Sequence, residues 1–201
     1  MDAASEREVS KLRLATFLAG LEGGTVGVLW MVAWLGVSSL WQQRSFWAAE
    51  NLMATAFDRN ASLAPAFTWA TCGGLALYIL IYSLLGAAFS SLVRDRVPQT
   101  RVMLLAVIVA LCWYYFSFQW AFKLVLPLVA LLHVEHATLV GHLLYGTMLG
   151  RYPLYVHRLM NTAPPAPEPA PAEAPLVVAP AAVAEVPQSQ EGSAPGDAGA
   201  S

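Results

Sequence analysis

The chain has 201 residues, 57% of them hydrophobic and 12% charged, with a mean hydropathy of +0.54. This composition excludes an ordinary soluble domain, and nothing in the charge pattern resembles a nucleic-acid footprint. The formal charge of −2 hides an asymmetry: Glu168, Glu173, Glu185, Glu191 and Asp197 crowd a C-terminal stretch without Lys or Arg, leaving +3 (11 basic minus 8 acidic) on the rest.

In chain order, residues 1–13 form a polar N-terminus in which Arg7, Lys11 and Arg13 precede an apolar run. That run is too long for a signal-peptide core and no small-residue cleavage site follows, so it reads as an uncleaved anchor. Four spans are predicted, about 14–40, 65–92, 102–122 and 127–149, each near or above the ~20 residues that cross a bilayer. The fold class is therefore an all-α membrane protein, a bundle of four transmembrane helices.

The first span carries Gly20, Gly23, Gly24 and Gly27, two overlapping Gly-x-x-x-Gly pairs that favour close helix contact within one chain or between copies. Glu22 interrupts the same span. Residues 45–58 are predicted to form an interfacial amphipathic helix, with Ser45 as N-cap. Its apolar face gathers Phe46, Ala49, Leu52, Met53, Ala56 and Phe57, and Asn51, Thr55 and Asp58 lie opposite. Docking onto the bundle is the alternative placement. Asn60-Ala-Ser62 fits a glycosylation acceptor, which matters only in a eukaryotic host.

The second span is rich in small residues and the third follows a short basic loop, Arg94 to Arg101. Lys123 is the only charge in the tight connection to the fourth span, so the last two spans form an antiparallel hairpin, with Pro127 in the first turn of the fourth. Projected at 100° per residue, Glu135, Thr138, His142, Gly146 and Gly150 share one side of that helix, while His133 and His136 lie elsewhere. The small and polar side faces other helices, so Glu135 and His142 are expected to point inward. Beyond Arg158 the composition turns to Pro, Ala, Glu and Val, and residues 159–201 read as a disordered cytoplasmic tail.

Eight basic residues (Arg7, Lys11, Arg13, Arg94, Arg96, Arg101, Arg151, Arg158) would share one side against three (Arg44, Arg59, Lys123) on the other, which places both termini in the cytoplasm. All seven tryptophans then fall in the outer half as an aromatic belt with packing roles, a reading preferred over a cofactor pocket. Cys72 and Cys112 lie in different spans at different heights and are not expected to pair.

Glu22 and His142 fall at similar depth from the cytoplasmic surface, so the sequence predicts a contact between them. The blander role for Glu22 is a paired or protonated structural group. His133 and His136 are weak metal or haem candidates: they are one turn apart, but Glu135 points away and no third ligand accompanies them. No cofactor is implied. No phosphate-binding loop, nucleophile elbow or catalytic carboxylate pair appears either.

Gly20-Leu-Glu-Gly-Gly-Thr-Val-Gly27, Asn51-Leu-Met-Ala-Thr-Ala-Phe57 and Gly141-His-Leu-Leu-Tyr-Gly-Thr-Met-Leu-Gly150 resemble small bacterial inner-membrane proteins of the YagU-like kind. The resemblance covers the chain up to about Arg158. It implies a bacterial inner-membrane location, a Gly-rich first helix and a last helix with a Gly-His…Tyr-Gly…Leu-Gly pattern, and it brings no catalytic residues.

The function read from the sequence is that of a non-enzymatic structural or accessory subunit acting through helix contacts. Its partners would be the lipid bilayer, further copies or other membrane subunits, and a soluble protein held by the tail. The alternative is a proton-coupled transporter or channel component built on Glu22, Glu135 and His142. A haem- or metal-binding redox subunit stands third.

Overall fold

The first helix, α1, runs from Ala3 to Trp41 in a computed structural model that describes residues 3–93 and 97–161. At 1.5 Å per residue its 39 residues extend about 58 Å, nearly twice the thickness of a hydrocarbon core. The segment at 3–13 thus belongs to the helix rather than forming a separate polar extension. The helix stops where Gln43 turns left-handed at φ 58°. There the Gln43 amide donates to Leu40 O (3.0 Å) and the Arg44 amide to Ser39 O (2.9 Å), a Schellman closure built without glycine.

Next come α2 (Ala48–Met53), α3 (Trp69–Leu92) and α4 (Gln99–Phe116). A π-helical turn at Ser117–Ala121 leads into α5 (Phe122–Val125), followed by α6 (Pro127–Leu132), α7 (Glu135–Leu149) and α8 (Tyr152–Asn161). No strand occurs among the described residues. α1 packs on α3, α7 and α8, and α7 packs in turn on α4.

Glycine sets how near these helices come. A Cβ at Gly20 would stand 2.6 Å from Gly86 O, and one at Gly24 would stand 2.7 Å from Tyr82 O, so α1 and α3 meet backbone to backbone. Thr25 and Ser83 share a hydroxyl hydrogen bond of 2.8 Å in the same seam. Gly27 faces Tyr145 of α7, and Gly146 and Gly150 face Val107 and Met103 of α4. The glycine stripes therefore act within one chain. On α4 the matching surface is Val102, Ala106, Ala110 and Tyr114, buried at four-residue spacing.

Three helical stretches are long and apolar enough to cross a membrane: Ser5–Trp41, Trp69–Leu92 and Gln99–Val125. The fourth predicted span differs, because it breaks at His133 and Val134, both extended, into α6 and the 15-residue α7. α7 alone reaches about 22 Å, short of the ~30 Å of hydrocarbon. The break costs little because side chains satisfy the freed carbonyls: His133 Nδ1–H donates to Ala130 O at 2.9 Å and Arg44 approaches Leu132 O at 3.5 Å. Large apolar side chains, among them Trp30, Leu104, Ile108, Phe116 and Trp120, are exposed along the long helices. That is the surface a lipid environment covers.

The segment predicted as an interfacial helix at 45–58 is shorter and docked. Ser45 is not its N-cap: α2 begins after Trp47 without a side-chain cap, and Ser45 Oγ accepts from the Trp47 amide two residues on. Its burial is not confined to the apolar face. Glu50 and Asn51 are buried with Leu52 and Met53, whereas Phe57 is 67% exposed. Asn51 is buried because its bonds are made inside, its amide donating to Ala64 O (3.0 Å) while its carbonyl accepts from Thr71 Oγ1 (2.6 Å). Thr71 in turn forms a capping box with Thr68 at the start of α3. Gly74 removes the side chain that would otherwise strike the Glu50 carbonyl and stand 2.9 Å from the Ala54 nitrogen.

α8 folds back along α1, with Tyr152 and Tyr155 against Gly23. Residues 159–161, expected to begin the tail, are helical; the rest of that tail lies outside the described residues. Cys72 and Cys112 are both free.

Candidate functional site

The polar interior centres on His142, 1% exposed and held by two bonds. Its Nδ1–H donates to Thr138 O at 2.8 Å, since a carbonyl can only accept, and this leaves Nε2 to accept from Tyr82 Oη at 2.7 Å. Tyr145 Oη then donates to Tyr82 O at 2.7 Å. Tyr82, Tyr114 and Phe118 ring the imidazole at centroid distances of 5.6, 5.2 and 6.1 Å. The π-helical turn places Phe118 there, because its extra residue rotates Ser117 and Phe118 into the core.

This arrangement separates the residues that the sequence had grouped. Glu22 does not meet His142: it pairs with Arg158 of α8. Similar depth did not bring the two together: the chain turns after Gly150, and α8 lies over Glu22 instead. Glu135 is exposed in the first turn of α7, because the break at His133 shifts the start of the helix and brings its dipole next to the carboxylate. Thr138 is buried, and its hydroxyl donates to Val134 O at 2.9 Å. His136 is exposed, while His133 lies 4.2 Å from the Phe118 ring. Among the described residues no three of His, Cys, Asp and Glu converge as metal ligands.

At the opposite end from Glu22, a cavity of about 30 Å³ sits between α1, α2, α3, the α6–α7 break and the π-helical turn. Its polar lining comprises Ser38, Ser39, Gln42, Arg44, Tyr78, His133 and Thr138. Behind it, Glu50 of α2 is 0% exposed, and neither carboxylate oxygen has a hydrogen-bond partner among the described residues. Burial pushes the Glu50 carboxyl up from 4.5 to about 7, and the nearby amide of its own backbone opposes this only in part.

Sequence reasoning missed Tyr78, Tyr82, Tyr145, Arg44 and Glu50. The tyrosines carried a signal, since Tyr78 and Tyr82 stand one turn apart in a span otherwise rich in Leu, Ile, Gly and Ala, and phenols buried in apolar surroundings seek partners. The burial of Glu50 carried none, because it depends on Gly74 and Asn51.

Among the described residues, fold and site together define a helical protein without strands, with three helices of membrane-crossing length and an internally bonded histidine. Compared with known protein families, curated proteins and solved structures, the chain matches none of them.

Proposed function

We propose that this is a polytopic membrane protein of a bacterial inner membrane whose membrane domain has four crossings, the fourth made by α6 and α7 together. It serves as a non-enzymatic structural or accessory subunit. The observation that carries the reading is the state of His142: both ring nitrogens are bonded inside the chain, to Thr138 and Tyr82. A polar group used in this way holds helices in register, and it is not free to take a proton from a pathway. Orientation follows the basic residues: Arg101, Arg151 and Arg158 lie at the end that also carries Arg7 to Arg13, opposite Arg44, Arg59 and Lys123. Both termini are cytoplasmic on that count.

The reading is tested against transport in proteoliposomes under an imposed pH gradient. Vesicles containing the wild-type chain should relax the gradient no faster than empty ones. A flux that disappears in Glu22→Gln or His142→Ala, with the variants still folded, would overturn it in favour of a proton-coupled transporter.

A further inference from the structure

We propose that the cavity beside α2 is a binding site for one small monovalent inorganic anion of about the size of chloride. Its volume of about 30 Å³ exceeds the ~10–15 Å³ that a single water needs, which leaves room for a monatomic ion.

The lining fixes the sign of the ligand. Arg44 is its one permanently charged residue, and no Asp or Glu lines it. A hard cation takes oxygen ligands with carboxylates among them, which this lining lacks. Tyr78 is 5% exposed and lines the cavity, and among the described residues its hydroxyl takes no hydrogen-bond partner. A buried phenol in that position is a donor lacking an acceptor.

Ser38 Oγ accepts from Gln42 Nε2 at 3.1 Å, which leaves its own proton to give. Thr138 contributes shape only, because its proton goes to Val134 O. The wall is completed by Val134, Ala137 and Thr138 from the first turn of α7, so the positive end of a 15-residue helix borders the space. Discontinuous membrane helices present anions to half-helix ends in this manner. Glu50 does not line the cavity but lies near Tyr78, and burial holds its carboxyl up to about 7, so pH 6 favours its neutral form.

The test uses the full chain in a neutral detergent at pH 6, exchanged into sodium gluconate and titrated with sodium chloride or bromide at constant ionic strength. Thermal unfolding is followed by tryptophan fluorescence. The midpoint should rise saturably with chloride and bromide, and the half-saturating concentration should increase at least tenfold in Arg44→Gln and in Tyr78→Phe. It should be unchanged in Arg59→Gln, which alters an exposed arginine outside the cavity. Tyr78→Phe keeps the ring and decides the matter if Arg44→Gln does not fold. No saturable rise specific to the halides, or half-saturation unchanged in Tyr78→Phe, overturns the proposal.

Discussion

Tyr82 and His142 join α3 to α7 through one hydroxyl proton, and removing it strands an imidazole nitrogen in the core. Tyr82→Phe should lower stability by about 1 kcal/mol, since an unsatisfied buried acceptor costs roughly 1–3 kcal/mol and the ring stays in place. A double-mutant cycle with His142→Ala, read by denaturant unfolding in mild detergent, should return a coupling of about 0.6 kcal/mol or more, the scale of hydrogen bonds between membrane helices. Strict additivity would mean that the bond contributes nothing.

Glu50 gives a prediction of a different kind. Its carboxyl titrates near 7 in the folded chain and near 4.5 when free, so between those values the folded state binds more protons than the unfolded one. The stability is fully present below about 4.5, declines as pH rises, and is lost above about 7. For a displacement from 4.5 to 7 the loss is on the order of 3 kcal/mol. Glu50→Gln should flatten that slope and exceed the wild type in stability at pH 8. Parallel pH profiles for the two proteins would contradict the assignment.

At the scale of elements, α2 stays on α3 because Gly74 lets the Glu50 carbonyl through and Asn51 bonds across to Thr71 and Ala64. Gly74→Val should cost about 3 kcal/mol, the upper range for forcing side-chain volume into a packed contact. It should also make the chain at Arg59 more sensitive to trypsin in intact vesicles; unchanged cleavage would show that the cap does not depend on this contact. α2 also marks the limit of what the sequence displayed. Long apolar runs and Gly-x-x-x-Gly spacing were legible because they are local and periodic, and they announced the helices and the seam of Gly20, Gly24 and Gly86. The burial of Glu50 and Asn51 alongside Leu52 and Met53 was not, because an amphipathic projection assumes that only the apolar face is buried, and here the hydrogen bonds of Asn51 cover the polar side as well. The break at His133 was hidden for a similar reason. Arg44, 88 residues away, reaches a carbonyl there that a continuous helix would have used, and no local spacing displays that contact. Once that break is in place, the predicted alignment of Glu135 with His142 fails and Glu135 becomes an exposed first-turn residue.

Across the whole molecule, the polar side chains that drew attention in an apolar sequence mostly bond to one another, while the exposed area on the long helices is apolar. His142 and Thr138 are tied within α7 and to α3, and Glu22 is tied to Arg158. On the proposed function, such a molecule would offer its helix surfaces to lipid and to neighbouring subunits. The most direct measurement is native mass spectrometry of the full chain extracted from its own membrane in mild detergent. The account predicts a heteromeric mass in which this chain is one subunit among others. A chain that leaves the membrane alone, or only with copies of itself, would contradict the subunit reading.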